Sequence, residues 1–313
     1  MAVTRVAREL RARSGVVHAH YPLPAVAPRL LRRPYLYTFH APVHREVLTE
    51  RADSYFLPKA TQGIAVRGTR ALEKAALGGA RELVVLSEHA KGEAELISAD
   101  VGARALLLPG GVDLERFSPG PPIADEWADE ARPLLFVARR LGFGTGVLEL
   151  VEAMKVVLAE LPGARLAIAG SGVAEQAVRE RVRSEGLTGA VRLLGRLSEA
   201  ELAGWYRAAG LVVVPSQQLE AFGLSTVEAL ACGAAVVATP VGGSPELLEP
   251  LDSRLLSASP RPKSIAEAIV LLWRDPAVLD SVRSRARSRV APDMGWPDIA
   301  GRYRALYAEM REG

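Results

Sequence analysis

A chain of 313 residues, 49% of them hydrophobic, is long enough for two domains with sizeable cores and too apolar for disorder. A net charge of +3 and a pI near 9.1 allow mild attraction to anionic ligands or lipid surfaces but lack the basic excess of a nucleic-acid binder. One cysteine, Cys232, excludes an internal disulfide and suits a reducing compartment; no apolar run spans a membrane and residues 1–10 are too polar for a signal peptide, so a cytoplasmic protein, at most peripheral at a membrane, is expected.

Residues 1–13 place Val3, Val6, Ala7 and Leu10 on one face of an amphipathic helix. Strands are expected at 16–20, 35–39, 83–86 and 105–108, with helices at 46–51, 61–76 and 89–97. The Gly/Pro-rich stretch PGGVDLERFSPGPP reads as a linker. A second series follows, with strands at 134–138, 165–169 and 191–194 and helices at 147–160, 174–185 and 199–208. Apolar runs at 211–215 and 234–239 read as strands buried on both faces, separated by a loop and a short helix that starts near Ser225 and stops at Gly233. Helices at 264–273, 277–290 and 296–310 close the chain. The alternation gives an α/β protein with parallel sheets.

Ligands of such sheets sit beyond the carboxyl ends of the strands, where Glu220 and Glu228 both fall. A carboxylate matches the two hydroxyls of a vicinal diol, so one can hold a ribose and the other a second sugar. Between them, Phe222, Gly223 and Leu224 offer backbone N–H groups at a helix start, a favourable place for a diphosphate. Plainer roles stand beside these. Ser225-Thr226-Val227-Glu228 is also a capping box, tying Glu228 to its own helix, and Glu220 can be a solvated loop residue.

The stretch RRLGFGTG, residues 139–146, joins a strand to a helix. Its alternating glycines let a phosphate approach the backbone, or simply make a flexible turn. Ala169-Gly170-Ser171-Gly172 occupies a similar place. His18 and His20 share one face of a strand, but no carboxylate or cysteine completes a metal set. His40 ends the strand YLYTFH at its carboxyl edge. Cys232, at a helix end, reads as packing rather than as a nucleophile.

The segment EAFGLSTVEALACGAAVVATPVGGSPE resembles the E-x7-E signature of retaining nucleotide-sugar glycosyltransferases of the GT-B fold, the family 4-like, group 1 enzymes. LLPGGVDLERFSPG resembles their linker, with Gly110 where Asn is common, and WPDIAGRYRALYAEM resembles their terminal helix, which crosses back to the first domain. The resemblance implies two Rossmann-like domains, 1–118 on the acceptor side and 119–290 for the donor, with a terminal helix at 291–313. It implies transfer of a hexose, with retention, from a nucleotide-diphosphate sugar to a saccharide, lipid or small-molecule acceptor, without metal or organic cofactor.

By the same resemblance Glu220 touches the donor sugar, Glu228 holds the ribose, and Phe222, Gly223 and Leu224 lie against phosphates and sugar. Arg140 meets the diphosphate, with Gly142, Gly144 and Thr145 in the phosphate loop; Thr145 stands where the family has a lysine and brings no charge. Arg139, a strand-end neighbour, is expected to point the other way. Gly170 and Gly172 line the nucleotide, and Arg196 and Leu197 the base. His40 contacts the donor sugar; His20 and Tyr21 belong to the acceptor side. His40, Arg140 and Glu220 are thus the expected catalytic residues.

Family first domains open with a strand and a Gly-Gly loop, whereas Val16 already begins the later V-V-H-A-H segment. The first domain is therefore expected to be incomplete, with a sheet edge that a second copy or another chain covers. The alternative to an enzyme is a degenerate relative that keeps a nucleotide pocket and serves as a binding or scaffold subunit.

Overall fold

The computed structural model describes residues 2–12, 14–45, 59–128 and 133–312. Two compact units emerge, one formed by Met1–Gly110 with Pro297–Gly313 and the other by Gly111–Trp296. The chain runs α1 (Ala2–Ala12), β1 (Val17–Ala19), α2 (Pro22–Leu30), β2 (Tyr35–Phe39), α3 (Lys59–Gly79), β3 (Glu82–Val85), α4 (Glu88–Ile97), α5 (Ala99–Gly102) and β4 (Leu106–Leu107). It continues with β5 (Leu134–Ala138), α6 (Val147–Glu160), β6 (Arg165–Ala169), α7 (Glu175–Ser184), β7 (Val191–Gly195), α8 (Glu199–Ala208) and β8 (Leu211–Val214). It ends with α9 (Leu224–Ala231), β9 (Val236–Ala238), α10 (Ser244–Leu248), α11 (Pro262–Trp273), α12 (Pro276–Val290) and α13 (Trp296–Glu312).

In the first unit four parallel strands lie in the order β1-β2-β3-β4. Successive side chains alternate between its faces. Tyr35, Tyr37, Phe39, Leu83 and Val85 meet Ala25 of α2, Leu77 of α3 and Ala94 of α4. Leu36, Val84 and Leu108 meet Ile299 and Met310 of α13, with Tyr303 and Tyr307 packed alongside. Burial on both faces explains why β2 and β3 are largely apolar. Ser87 starts α4, its hydroxyl accepting from Ala90 N at 3.0 Å. Glu73, buried on α3, accepts from the backbone N–H of Val43 and at 2.6 Å from His44 Nδ1, anchoring the chain that follows β2. The helix expected at 46–51 lies outside the described residues.

Helix α2 was not expected, because its sequence PLPAVAPRL carries three prolines. Pro22 and Pro24 fall in the first turn, whose N–H groups have no helical acceptor in any case, so the helix starts without penalty there. Only Pro28 lies further in and removes a bond.

The second unit is a five-stranded parallel sheet in the order β7-β6-β5-β8-β9. The chain builds outward from β5 to β7, then returns to lay β8 and β9 on the other side of β5. This reversal places a crevice outside the carboxyl ends of β5 and β8. Helix α11 packs on α6, and α9 packs on α8 and α12. Ser198 and Glu201 form a capping box at the start of α8. The linker is fastened here: Arg287 donates to the carbonyls of Leu114, Phe117 and Ala231, and Arg207 to those of Arg116 and Ser118. The division between units consequently falls after Gly110 rather than after residue 118. No described helix is long and apolar enough to cross a membrane.

Candidate active site

The loops at the carboxyl edge of the second sheet are drawn together by backbone bonds. Leu141 N donates to Ser171 O at 3.0 Å, and Gly170 N to Gly195 O at 2.7 Å, joining the loops after β5, β6 and β7. Gly146 closes the first loop with φ 83°, and a Cβ there would collide with Pro215 O beyond β8. Only glycine allows that approach. Thr145 Oγ1 donates to Gly142 O at 2.6 Å, so its hydroxyl holds the loop in shape.

Arg139, Arg140, Gly142, Gly170, Gly172 and Arg196 line a cleft of about 450 Å³ at this edge. Three arginines and no acidic residue contribute to its lining, which makes the lining basic. Leu197, half-buried, follows Arg196. A larger cleft of about 750 Å³ lies beside Gly210 and Ala234, before the amino ends of β8 and β9. Its arginines, Arg207 and Arg283, already donate to backbone carbonyls. The glycine loops and the crevice at the carboxyl ends favour the smaller cleft.

Glu220 follows β8. Its carbonyl accepts from Gly243 N at 2.8 Å, and Gly242, at φ 64°, passes so close that a Cβ would collide with that oxygen. Its Oε2 accepts from Ser216 Oγ at 2.6 Å and pairs with Arg139 Nη2 at 3.1 Å. Arg139 Nη1 in turn donates to Ser216 Oγ at 2.6 Å. This corrects the expectation that Arg139 points away: β5 ends at Ala138, strand alternation stops there, and Arg139 turns toward the β8 loop.

Glu228 is not a helix cap. Helix α9 begins at Leu224 after Gly223, no side chain caps it, and Glu228 lies beyond its first turn. Its Oε2 accepts from Tyr206 Oη at 2.9 Å. Burial pushes the Glu228 carboxyl above the usual range, and the Tyr206 hydroxyl acts against that rise. Phe222 is buried, whereas Leu224 is half exposed at the first position of α9.

His20, Tyr21 and His40 come together in the first unit, just beyond β1 and β2. His20 Nδ1 lies 3.0 Å from His40 Nε2, and the exposed Tyr21 ring stacks on His40 with centroids 6.4 Å apart. His18 sits 4.1 Å from the His20 ring, with Nδ1 on Tyr307 Oη and Nε2 on Thr38 Oγ1, each at 2.7 Å. Burial, helped by His20 and His40, lowers its pKa to about 4. His20 and His40 are lowered by burial as well. Among the described residues no cluster of three or more His, Cys, Asp or Glu is arranged to hold a metal.

Arg139, Ser216 and Tyr206 are the residues that inspection of the sequence left out of the site. Ser216 had a signal, its place two residues past a buried strand at the carboxyl edge. Tyr206 had none, since its partner lies 22 residues away on another helix.

The profile of the family described as "Glycosyl transferases group 1" matches residues 123–289, more than half of the chain. The chain belongs to the group 1 glycosyltransferases. The profile described as "Glycosyltransferase Family 4" matches residues 1–116 of this glycosyltransferase. The D-inositol 3-phosphate glycosyltransferase 1 of Catenulispora acidiphila is 33% identical over 95% of the chain and 73% of its own length. A GDP-mannose-dependent monoacylated alpha-(1-6)-phosphatidylinositol monomannoside mannosyltransferase of Corynebacterium glutamicum is 30% identical over 60% of the chain; the match spans about half of that relative, 52%. Sucrose-phosphate synthase from Thermosynechococcus elongatus superposes over 99% of the chain and 78% of its own with a TM-score of 0.81 at 27% identity. With two parallel sheets and this likeness, the glycosyltransferase has the GT-B fold.

Proposed function

We propose that this glycosyltransferase moves a hexose from a nucleotide-diphosphate sugar to a hydroxyl acceptor with retention of anomeric configuration. One observation carries the reading: two carboxylates, Glu220 and Glu228, are each held through Oε2 at a sheet edge that also carries an arginine-lined cleft. A nucleotide sugar presents a diol, a diphosphate and a second set of hydroxyls. Glu228 is assigned to the ribose and Glu220 to the sugar. The diphosphate lies along Gly142, Gly144, Gly170 and Gly172 and against the start of α9 at Phe222, Gly223 and Leu224. Arg196 and Leu197 are assigned to the base.

As the bond from the sugar C1 to the phosphate oxygen breaks, negative charge collects on the diphosphate. Thr145 brings no charge and its hydroxyl is engaged within the loop, so the compensation is assigned to Arg140. The acceptor oxygen bonds to C1 from the face the phosphate leaves, and the leaving phosphate oxygen takes the acceptor proton. Neither glutamate acts as nucleophile in this scheme, since both are assigned to hydroxyl binding. His40 is assigned to the donor sugar, and His20 and Tyr21 to the acceptor. The names of the C. acidiphila and C. glutamicum relatives, an inositol phosphate acceptor and a GDP-mannose donor, support a hydroxyl-rich acceptor and a nucleotide sugar.

The test is calorimetric titration with UDP and GDP, followed by hydrolysis and transfer assays over a panel of UDP- and GDP-sugars. Binding with turnover of one donor, and an α-linked product from an α-linked donor, is the expected result. Binding of neither nucleotide, or binding without turnover of any donor, would remove the proposal.

A further inference from the structure

Tyr206 is fully buried on α8, its ring held edge-on against Phe136 at 5.4 Å and Phe117 at 6.1 Å. A buried phenol needs a partner for its hydroxyl, and Tyr206 finds it in Glu228 Oε2. We propose that Tyr206 is a positioning residue for Glu228, fixing one carboxylate oxygen so that the other is presented to the ribose diol of the bound nucleotide. The inference rests on the ribose role assigned to Glu228.

A bidentate grip on a diol needs acceptor capacity on both carboxylate oxygens. Tyr206 occupies one lone-pair direction of Oε2 and leaves the second, together with Oε1. It also favours the charged form of a carboxyl that burial works against. Other charged and titratable groups lie around this pair. Cys232, at the end of α9, is buried with its thiol pushed up to about 11, and is therefore neutral. Arg139, at the end of β5, places positive charge within reach of Tyr206. Arg207 and Arg287 lie on the side of Cys232. All five histidines belong to the other unit.

The sign follows. Glu228 must be ionised to accept from both hydroxyls. Burial raises its pKa and the Tyr206 bond opposes the rise, so removing the hydroxyl raises it further. Nucleotide binding should then be lost on acidification at a higher pH.

The experiment is calorimetric titration of the full chain with UDP and GDP between about pH 5 and pH 8. Tyr206→Phe keeps the ring and its packing. It is expected to bind the nucleotide about threefold to tenfold more weakly at the alkaline end, with its acid limb moved to higher pH. Incorporation of 3,5-difluorotyrosine at position 206, which makes the hydroxyl a stronger donor, should move the limb the other way and keeps the test available should Tyr206→Phe not fold. An acid limb unmoved in both variants would overturn the inference and leave Tyr206 as packing. Failure of the unaltered protein to bind either nucleotide at any pH would instead remove the ribose role, and this inference with it.

Discussion

Glu228 sits where its charge is disfavoured, and that has a consequence for stability as well as binding. Its native pKa is raised above the unfolded value, so the native state holds the proton more tightly. The Glu228 contribution to stability is then full at acid pH and is lost as pH rises from the ordinary carboxylate range through the native value. Glu228→Gln is expected to raise Tm at pH 8 while lowering nucleotide affinity about tenfold or more. A fall in Tm with unchanged affinity, measured by thermal melting and calorimetry, would contradict both parts. His18 runs the opposite way. Its native pKa of about 4 lies below the ordinary 6.5, so its contribution is full above 6.5 and is lost as pH falls toward 4. Imidazole NMR should find His18 protonating well below its ordinary value; titration near that value would mean that His18 is not buried beside His20 and His40 in solution. At this scale the sequence was half legible. Spacing at the strand ends brought out Glu220, Glu228 and the glycine loops. The residues that aim the two carboxylates were hidden, because Tyr206 and Arg139 reach their partners only after the helices and strands have packed.

Elements were more readable than contacts. Strands β2 and β8 are buried along their whole length, and β5 and β6 at all but one end residue, and that burial writes itself as apolar runs. Helix α2 was missed because prolines in a first turn look like a break when the first turn has not yet been located. The capping box at Ser225, the plainer alternative for Glu228, fails for a related reason. It matched a helix start in spacing, but the backbone had already entered the helix at Leu224. Glycine positions give the sharpest tests here. Gly146→Ala puts a methyl group against Pro215 O in a left-handed backbone, and should cost roughly 2 kcal/mol or more in urea denaturation. Gly242→Ala presses instead on the carbonyl of Glu220. It is expected to reduce transfer more than UDP or GDP binding, since Glu228, to which the ribose is assigned, lies on α9. Equal losses in the two assays would show that Glu220 and Glu228 move together.

For the whole molecule, alternation of apolar strands with helices was enough to give an α/β protein of two parallel sheets, and the signature around Glu220 pointed to its family. The acceptor stayed illegible for a physical reason: loops choose acceptors, and loops have no periodicity to read. The central claim is that Glu228 and Glu220 grip the two sugars of an activated donor. A crystal structure of the protein with UDP or GDP bound, whichever the titration selects, tests it most directly. The result expected is a ribose within hydrogen-bonding distance of Glu228 and a diphosphate in the cleft lined by Arg139, Arg140 and Arg196. A nucleotide bound elsewhere, for instance in the larger cleft beside Trp273, would contradict it.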